Sequence, residues 1–220
     1  MQQIAPDLYL LDGFPKYAIN IYLMGDVLVD AGIRSDKKRI LRQLQEKNVT
    51  AHALTHVHSD HQGASKVVCE TLNIPLWCGE KDAPAMESGD MSTQIPDNLI
   101  TRLQERFWTG PAHPVGRLLR EGDEIAGFVV LDVPGHSPGH IAFWRAEDRV
   151  LVLGDVLTNS NEAGRVRLAE PRRIYTPDPA LNRESARKLA QLQPEIICFG
   201  HGPPLQDGEK FQEFFDQLPD

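Results

Sequence analysis

This 220-residue chain contains few cysteines, no long apolar run and no excess of basic side chains. The three cysteines, Cys69, Cys78 and Cys198, lie far apart and form no C-x-x-C pair, which argues against a disulfide framework and a cysteine zinc site. We therefore expect reduced, mostly buried thiols and a cytoplasmic protein. We expect no membrane helix, which needs roughly 20 apolar residues, and no secretory signal, because MQQIAPDLYLLDGF lacks a basic start and a long apolar stretch.

The charge balance is acidic, with 31 Asp and Glu side chains, 23 Lys and Arg side chains and a formal net charge of −8. This charge opposes non-specific binding to nucleic acids and to anionic membranes, and we expect neither as a partner. Apolar residues make up 41% of the chain and charged residues 25%, as in ordinary globular proteins. The length fits one domain over residues 1–220, and nothing in the sequence indicates an oligomeric state.

Short β-type runs alternate with helical periodicity along the chain. Strands are predicted in YLLDG, NIYLMG, VLVDAG, AHALTH, IPLWCG, FVVLDV, HIAFWR, RVLVLG and EIICFG. The helical pattern, with Ser35 as the N-cap of the first helix, predicts helices over residues 35–48, 61–73, 179–193 and 209–218. This alternation is typical of the α/β class.

The pattern loosens between about residues 84 and 116, where we expect a helical insertion. Asp97 is a candidate cap for a helix in which Leu99, Leu103 and Phe107 are spaced four apart. The flanks are rich in Gly, Pro, Ser and Met. Such a segment either forms a lid or one wall of a pocket, or simply packs on the core.

A faint internal repeat indicates the architecture. INIYLMGDVLVDAG and IAFWRAEDRVLVLGD both predict a hairpin that ends in an acidic residue beside a glycine. ILRQLQEKNVTAHALTH and ARKLAQLQPEIICFGH both predict a helix, a strand and a histidine. Two such halves, packed sheet against sheet with the helices outside, would form a four-layer αββα sandwich.

The segment LTHVHSDHQG, residues 54–63, concentrates metal-ligand side chains directly after a predicted strand. His56 and His58 project to the same side of extended backbone and can bind one cation together. Asp60 and His61 follow where the chain turns into a helix, whose first amide groups favour a carboxylate. Imidazole and carboxylate are ligands of zinc and similar divalent cations, so this motif predicts a metal site.

Three later turns offer the further ligands that such a site needs. His136 in VPGHSPGH, Asp155 in LVLGDV and His201 in CFGHGPP each follow a predicted strand. The glycine beside each residue permits close approach of the backbone to a metal. Functional residues collect at strand ends in α/β folds, and we expect these turns to meet the histidine motif.

Three histidines outside this set have structural interpretations. We expect His52 to be structural, His140 to form a hydrogen bond within the core, and His113 to lie exposed in the insertion.

The ordered motifs H-x-H-x-D-H, G-H, G-D and G-H resemble the metallo-β-lactamase superfamily, especially its glyoxalase II-like hydrolases. The resemblance extends from the LVDAG strand to the GHGPP turn and implies the αββα fold. It also implies two metals, with ligands His56, His58 and His136 for the first, Asp60, His61 and His201 for the second, and Asp155 for both. Asp30, in LVDAG, would orient a ligand without binding metal itself.

The resemblance implies a hydrolase in which two cations, about 3.5–4 Å apart, hold a bridging hydroxide that attacks a carbonyl carbon. Asp60 is also a candidate catalytic residue, as a proton relay. The net charge of the loaded site, about +1, would attract a small-molecule substrate that is anionic or bears a carbonyl. Five histidines favour two zinc ions, although iron and manganese accept the same ligands.

The resemblance suggests a thioester substrate of the hydroxyacylglutathione type. Larger glyoxalase II enzymes hold glutathione with a helical C-terminal domain, whereas this chain stops 19 residues after His201. Either the thioester is held in another way, or the substrate differs. Candidate substrate-binding residues are Arg172, Arg173 and Tyr175, within a basic stretch that also contains Arg165 and Arg167. The alternative is a solvated loop.

Other members of the superfamily provide alternative functions. Sulfur dioxygenases share the motif set but use a single iron to oxidise a persulfide. Lactonases carry a tyrosine shortly after the bridging Asp, where Thr158 and Asn159 stand here, so lactonase activity is disfavoured. True β-lactamases lack the bridging Asp, which leaves β-lactam hydrolysis as a side reaction. A nuclease is disfavoured by the acidic charge, and a non-catalytic binding protein by the complete ligand set.

Overall fold

The computed structural model describes residues 1–160 and 166–216. The first sheet runs in chain order through β1 (Gln2–Ala5), β2 (Leu8–Leu10), β3 (Tyr22–Met24), β4 (Val27–Val29), β5 (Ala51–Ala53), β6 (Leu76–Gly79) and β7 (Arg117–Leu119). Its neighbours pair antiparallel as far as β4 and parallel from β4 to β7. It is therefore a mixed sheet.

The second sheet is formed by strands from the latter half of the chain. They are β8 (Glu124–Ile125), β9 (Phe128–Asp132), β10 (Ile141–Arg145), β11 (Val150–Gly154) and β12 (Ile196–Phe199). Their spatial order is β12-β11-β10-β9-β8, with β11 and β12 parallel and the other pairs antiparallel. The described helices are α1 (Lys37–Leu44), α2 (Ser65–Leu72), α3 (Ala83–Ser88), α4 (Leu99–Trp108), α5 (Pro179–Ala190) and α6 (Gly208–Asp216).

The central strands are buried on both faces, which explains their nearly continuous apolar sequences. Val29 of β4 and Val152 of β11 belong to the core between the two sheets. Because side chains alternate along a strand, Leu28 instead packs with α1 and α2 residues, and Leu151 packs with residues of α5 and α6. The result is helix, sheet, sheet, helix, so the four-layer αββα prediction is confirmed.

The sequence repeat corresponds to a repeat in the fold. β3 and β4 form an antiparallel hairpin, α1 follows, and β5 returns parallel to β4. β10 and β11 form a matching hairpin, α5 follows, and β12 returns parallel to β11. Parallel neighbours end at the same edge of their sheet, so each half brings two loops with ligand-type residues side by side.

The insertion contains α3 and α4 and departs from the prediction in two details. Asn98 caps α4, because its side chain accepts hydrogen bonds from the amides of Ile100 and Thr101, whereas Asp97 is paired with Arg102. Leu99 is 84% exposed and Leu103 58%. The residues spaced four apart therefore face solvent and not the core.

The starts of α1 and α2 also differ from the prediction. Ser35 lies in a 3₁₀ turn, Arg34–Asp36, and α1 begins at Lys37, so Ser35 is not its N-cap. α2 begins at Ser65 instead of His61, because the amides of His61 and Gln62 both turn back to the carbonyl of His58. No helix in the described ranges combines the length and the apolar character needed to cross a bilayer.

Candidate metal centre

The histidine motif forms a buried turn directly after β5. His56, His58 and His61 are each buried, and Asp60 is half-buried. The backbone folds back at His58, whose carbonyl accepts the amide of His61, and the amide of Ala31 binds the carbonyl of His61. The turn is thus fastened to the end of β4.

The predicted site residues from the later turns converge on this motif. The structure forms three groups, in each of which the ligand atoms lie within 4.8 Å of one another: His56, His58 and His136; His56, His61 and Asp155; and Asp60, His61 and His201. The three groups share members, so all seven residues form one continuous cluster.

Several ligand atoms in this cluster are buried and lack a hydrogen-bond partner among the described residues. They are the Nε2 atoms of His56, His61 and His136 and the Oδ1 atom of Asp155. Buried polar atoms normally have partners, and these atoms all belong to residue types that bind divalent metals. The donor set therefore fits a metal centre.

Each of the five imidazoles is oriented through the ring nitrogen that faces away from the cluster. The contacts are His56 Nδ1 to Thr55 Oγ1 at 3.0 Å, His58 Nε2 to the Gln94 carbonyl at 2.8 Å, His61 Nδ1 to Asp30 Oδ2 at 2.9 Å, His136 Nδ1 to Thr176 Oγ1 at 3.1 Å, and His201 Nδ1 to the Ala18 carbonyl. A ring nitrogen that donates to an oxygen leaves the other nitrogen as an acceptor. His58 consequently presents Nδ1, and the other four present Nε2.

Asp30 contacts one candidate ligand directly and a second one through Thr55. Its carboxylate binds His61 directly and accepts hydrogen bonds from the amide and the hydroxyl of Thr55 at 2.8 and 2.9 Å. Thr55 in turn contacts His56. Asp30 adopts a left-handed backbone with φ of 62°, a conformation that aspartate tolerates better than most residues.

Asp82 was not predicted from the sequence and holds two ligand turns together. Its buried carboxylate accepts hydrogen bonds from the Val57 amide at 3.0 Å, the Ser137 hydroxyl at 2.7 Å and the Gly139 amide at 2.6 Å. Val57 lies between two histidines of the motif, and Ser137 follows His136. Burial raises the pKa of Asp82, and the three hydrogen bonds oppose that rise.

Electrostatics divide the cluster into two halves. Burial holds the pKa values of His56 and His136 well below the ordinary value, and neighbouring imidazoles lower them further. Burial acts the same way on His61, but the carboxylates of Asp155, Asp30 and Asp60 outweigh it and raise the pKa of His61 to about 10. The part of the cluster around His61 therefore lies among carboxylates, whose negative charge attracts cations.

Gly200 permits the turn after β12 to approach the cluster. A Cβ atom at this position would lie 2.0 Å from Asp155 Oδ1 and 2.8 Å from His61 Cε1. No side chain fits in that space. Gly200 is therefore required by the close approach of the backbone to the ligands.

A sequence model of the metallo-beta-lactamase superfamily matches residues 15–201. The chain belongs to the metallo-β-lactamase superfamily. The probable metallo-hydrolase YflN of Bacillus subtilis is 30% identical over 216 residues, with 87% of this chain and 80% of the relative covered. Hydroxyacylglutathione hydrolase GloC of Haemophilus influenzae is 31% identical over 190 residues, with coverage of 83% and 82%.

Solved structures show the same relationship. The B3 metallo-β-lactamase BLEG-1 superposes with a TM-score of 0.72 at 30% identity, with 96% of this chain and 98% of that chain covered. TTHA1623, in a di-iron-bound form, superposes with a TM-score of 0.65 at 30% identity, with coverage of 94% and 91%. As a member of the metallo-β-lactamase superfamily, this protein is a metallo-hydrolase.

A cavity of about 660 Å³ opens over the candidate metal centre, and five of the predicted metal ligands line it: His58, Asp60, His136, Asp155 and His201. Arg172 and Tyr175 also line the cavity, whereas Arg173 does not. Tyr175 accepts a hydrogen bond from Gln104 of α4, so the insertion contributes a wall.

The other described arginines of the predicted basic stretch do not line this cavity. Arg167 is exposed and is not among the residues that line it. Arg165 lies outside the described residues. Of the arginines in this stretch that the structure describes, Arg172 lines the cavity, and its guanidinium lies 5.8 Å from the ring centre of Tyr175.

The other histidines make structural contacts. His52 is buried, with Nδ1 3.1 Å from the Leu28 carbonyl and Nε2 2.8 Å from Ser65 Oγ. His140 is buried, and its Nε2 accepts the amide of Asp155 at 3.3 Å. His113 is half-buried and not exposed, because the insertion folds back so that its amide donates to the carbonyl of Met86.

Proposed function

We propose that this protein is a binuclear metallohydrolase that cleaves thioesters of the hydroxyacylglutathione type, or related esters. The position of Asp155 carries the proposal. Its Oδ2 lies 3.5 Å from His136 Nε2 and 3.1 Å from His201 Nε2, and its Oδ1 lies 3.6 Å from His61 Nε2. One carboxylate thus faces both histidine groups, as a ligand shared by two cations would.

The proposed ligands would divide between the two cations as the resemblance to the superfamily implies. His56, His58 and His136 would hold one cation, and Asp60, His61 and His201 the other. Two zinc ions suit five imidazoles and two carboxylates, while iron and manganese accept the same ligands. When bound, the pair supplies a water of lowered pKa and polarises a carbonyl oxygen.

Asp60 is the residue of this chain best placed to move a proton. It lines the cavity, and its Oδ2 lies 3.3 Å from His201 Nε2. Burial acts to raise the pKa of Asp60, but His61 and His201 lower it strongly, so the group is an ionised carboxylate. Asp60 would take a proton from the attacking water and return it to the leaving thiolate.

The substrate would be a small molecule with a carbonyl at the metal centre. Arg172, at the wall of the cavity, would bind an anionic group, and Tyr175 would contact the same part of the substrate. Similarity to GloC, a hydroxyacylglutathione hydrolase, supports a thioester. Similarity to BLEG-1, a B3 metallo-β-lactamase, favours β-lactam hydrolysis as the second candidate.

Metal analysis with a substrate panel tests this proposal. We expect two zinc ions per chain and turnover of S-lactoylglutathione or a simpler thioester above that of lactones and β-lactams. A single iron per chain, with oxygen uptake on a persulfide, would instead select a dioxygenase. Faster turnover of β-lactams than of any thioester would select the second candidate.

A further inference from the structure

Apolar side chains form the walls of the cavity above the metal centre. Phe14 and Ile19 come from the connection between β2 and β3, and Ile33 comes from the turn before α1. Ile95 and Trp108 come from the insertion. Three separate segments thus present apolar surface to the same space, which is typical of a ligand site with few polar anchors.

Much of this apolar surface is available to a ligand. Phe14 is 91% exposed at the cavity mouth, and Ile19, Ile33 and Trp108 are half-buried. Large apolar side chains left in water around a functional cavity indicate a binding surface. An apolar group that covers these side chains would remove their surface from water, which favours binding.

The charged side chains along these walls are mostly neutralised within the protein. Arg39 pairs with Asp36 at 3.1 Å, and Glu170 accepts two hydrogen bonds from Arg183 at 2.8 and 2.9 Å. Charges paired in this way are poor partners for charged groups of a substrate. Away from Arg172, which is proposed to bind an anionic group, the cavity walls therefore suit an uncharged group.

The apolar side chains nearest the ligands are held there by the backbone. Ile19 follows Ala18, whose carbonyl binds His201 Nδ1. The backbone of Ile33 lies directly against Gly63, where a Cβ would be 2.5 Å away, and Gly63 ends the histidine motif. Both isoleucines line the cavity and belong to segments that contact the ligand turns, so a substrate whose carbonyl lies at the metal centre would place its acyl side against them.

We propose that the substrate carries an apolar acyl chain, which contacts Ile19 and Ile33 near the metal centre and Trp108 and Phe14 towards the mouth. This inference rests on the proposed thioester or ester hydrolysis and names its substrate class. Burial of one methylene increases binding by about fourfold at most. We therefore expect kcat/KM to rise about two- to fourfold per added methylene until the cavity is filled.

Acyl thioesters of N-acetylcysteamine test this, because acetyl, butyryl, hexanoyl and octanoyl substrates share one leaving group. The Phe14→Ser and Trp108→Ala variants should flatten the rise for the longer chains. Leu103→Ala is the matched control, since Leu103 lies on α4 with Trp108 but outside the cavity lining, and it should keep the rise of the unmodified protein.

Binding of straight-chain alkanoates, acetate to octanoate, to the zinc-loaded protein supplies a readout independent of turnover. Calorimetry should show the same dependence on chain length and the same loss in the Phe14 and Trp108 variants. Equal affinity for all lengths, or S-lactoylglutathione turnover well above that of the octanoyl thioester, would overturn the inference. Length-dependent alkanoate binding without turnover of any thioester would support the apolar site and contradict the proposed function.

Discussion

Asp82 shows how a single side chain can set the geometry of a site that it does not line. Its two oxygens accept hydrogen bonds from both ligand turns. In Asp82→Asn, an amide NH₂ would face at least one of these donors, and a buried unsatisfied donor costs about 1–3 kcal/mol. We expect urea denaturation to show that loss of stability, together with weaker zinc retention.

Asp97→Asn, in an exposed ion pair, is the control and should change stability by less than about 0.5 kcal/mol. Unchanged stability and zinc retention in Asp82→Asn would contradict this role.

His52 predicts a specific pH dependence of stability. Burial lowers its pKa to about 4 in the folded protein, below the value of about 6.5 expected when unfolded. The unfolded chain therefore binds the proton first as pH falls, and stability is lost between about pH 6.5 and 4. Between pH 7 and 4.5 the loss from this group is about 2.5 kcal/mol. We expect the free energy of unfolding of His52→Gln to fall less than that of the unmodified protein over this range, by about that amount. Equal losses would exclude His52 as the source.

Arg172 and Arg173 are adjacent in sequence but differ in their position relative to the cavity. Arg172 lines it and Arg173 does not. For an anionic thioester such as S-lactoylglutathione, Arg172→Ala should raise KM about fivefold, as expected for loss of one partly exposed charge contact. Arg173→Ala is the control and should leave KM unchanged, with zinc content constant in both. Equal effects of the two substitutions would indicate a general electrostatic effect instead of a contact.

The convergence of the candidate ligands could be predicted from the sequence because metal chemistry restricts residue type and because these residues cluster in glycine-rich turns. Their supporting partners could not. Thr55, Gln94 and Thr176 are common polar residues, and only the folded chain shows that each contacts an imidazole. Asp82 stands in an unremarkable KDAP segment, and its partners lie 25 to 57 positions away. Its role depends on tertiary contacts that local sequence does not contain.

At the scale of elements, the turn after β12 has a strict steric requirement next to the candidate ligands. In Gly200→Ala the added methyl would enter the space of Asp155 Oδ1, so the Asp155 carboxylate must move. We expect zinc content to fall below one ion per chain and turnover to fall at least about tenfold, because Asp155 is the proposed ligand of both cations. Gly13→Ala is the control, since its Cβ would meet only ordinary contacts at 3.5 Å and beyond. Full zinc content in Gly200→Ala would contradict the close approach.

Strands with continuous apolar runs were predictable, and three strands at the sheet edges were not. β4 and β11 carry continuous apolar runs that identify buried strands. β1, β7 and β8 have two to four residues each, and their conformation depends on a neighbouring strand. α4 was predicted as a helix, but its exposed leucines show that periodicity alone does not reveal which face is buried.

At the scale of the whole molecule, two copies of one hairpin, helix and strand unit meet so that their loops form a single site. The first half supplies Asp30 and the histidine motif, and the second supplies Asp155 and His201. This division was visible in the sequence, because each half ends its strands with ligand-type residues. The cavity was not visible, since its walls come from segments whose proximity only the assembled fold creates.

Anomalous scattering at the zinc edge, from crystals of the zinc-loaded protein, tests the central claim most directly. We predict two peaks, one bound by His56, His58 and His136 and one by Asp60, His61 and His201, with the Asp155 carboxylate in contact with both. A single peak, or two peaks of which neither contacts Asp155, would contradict the account.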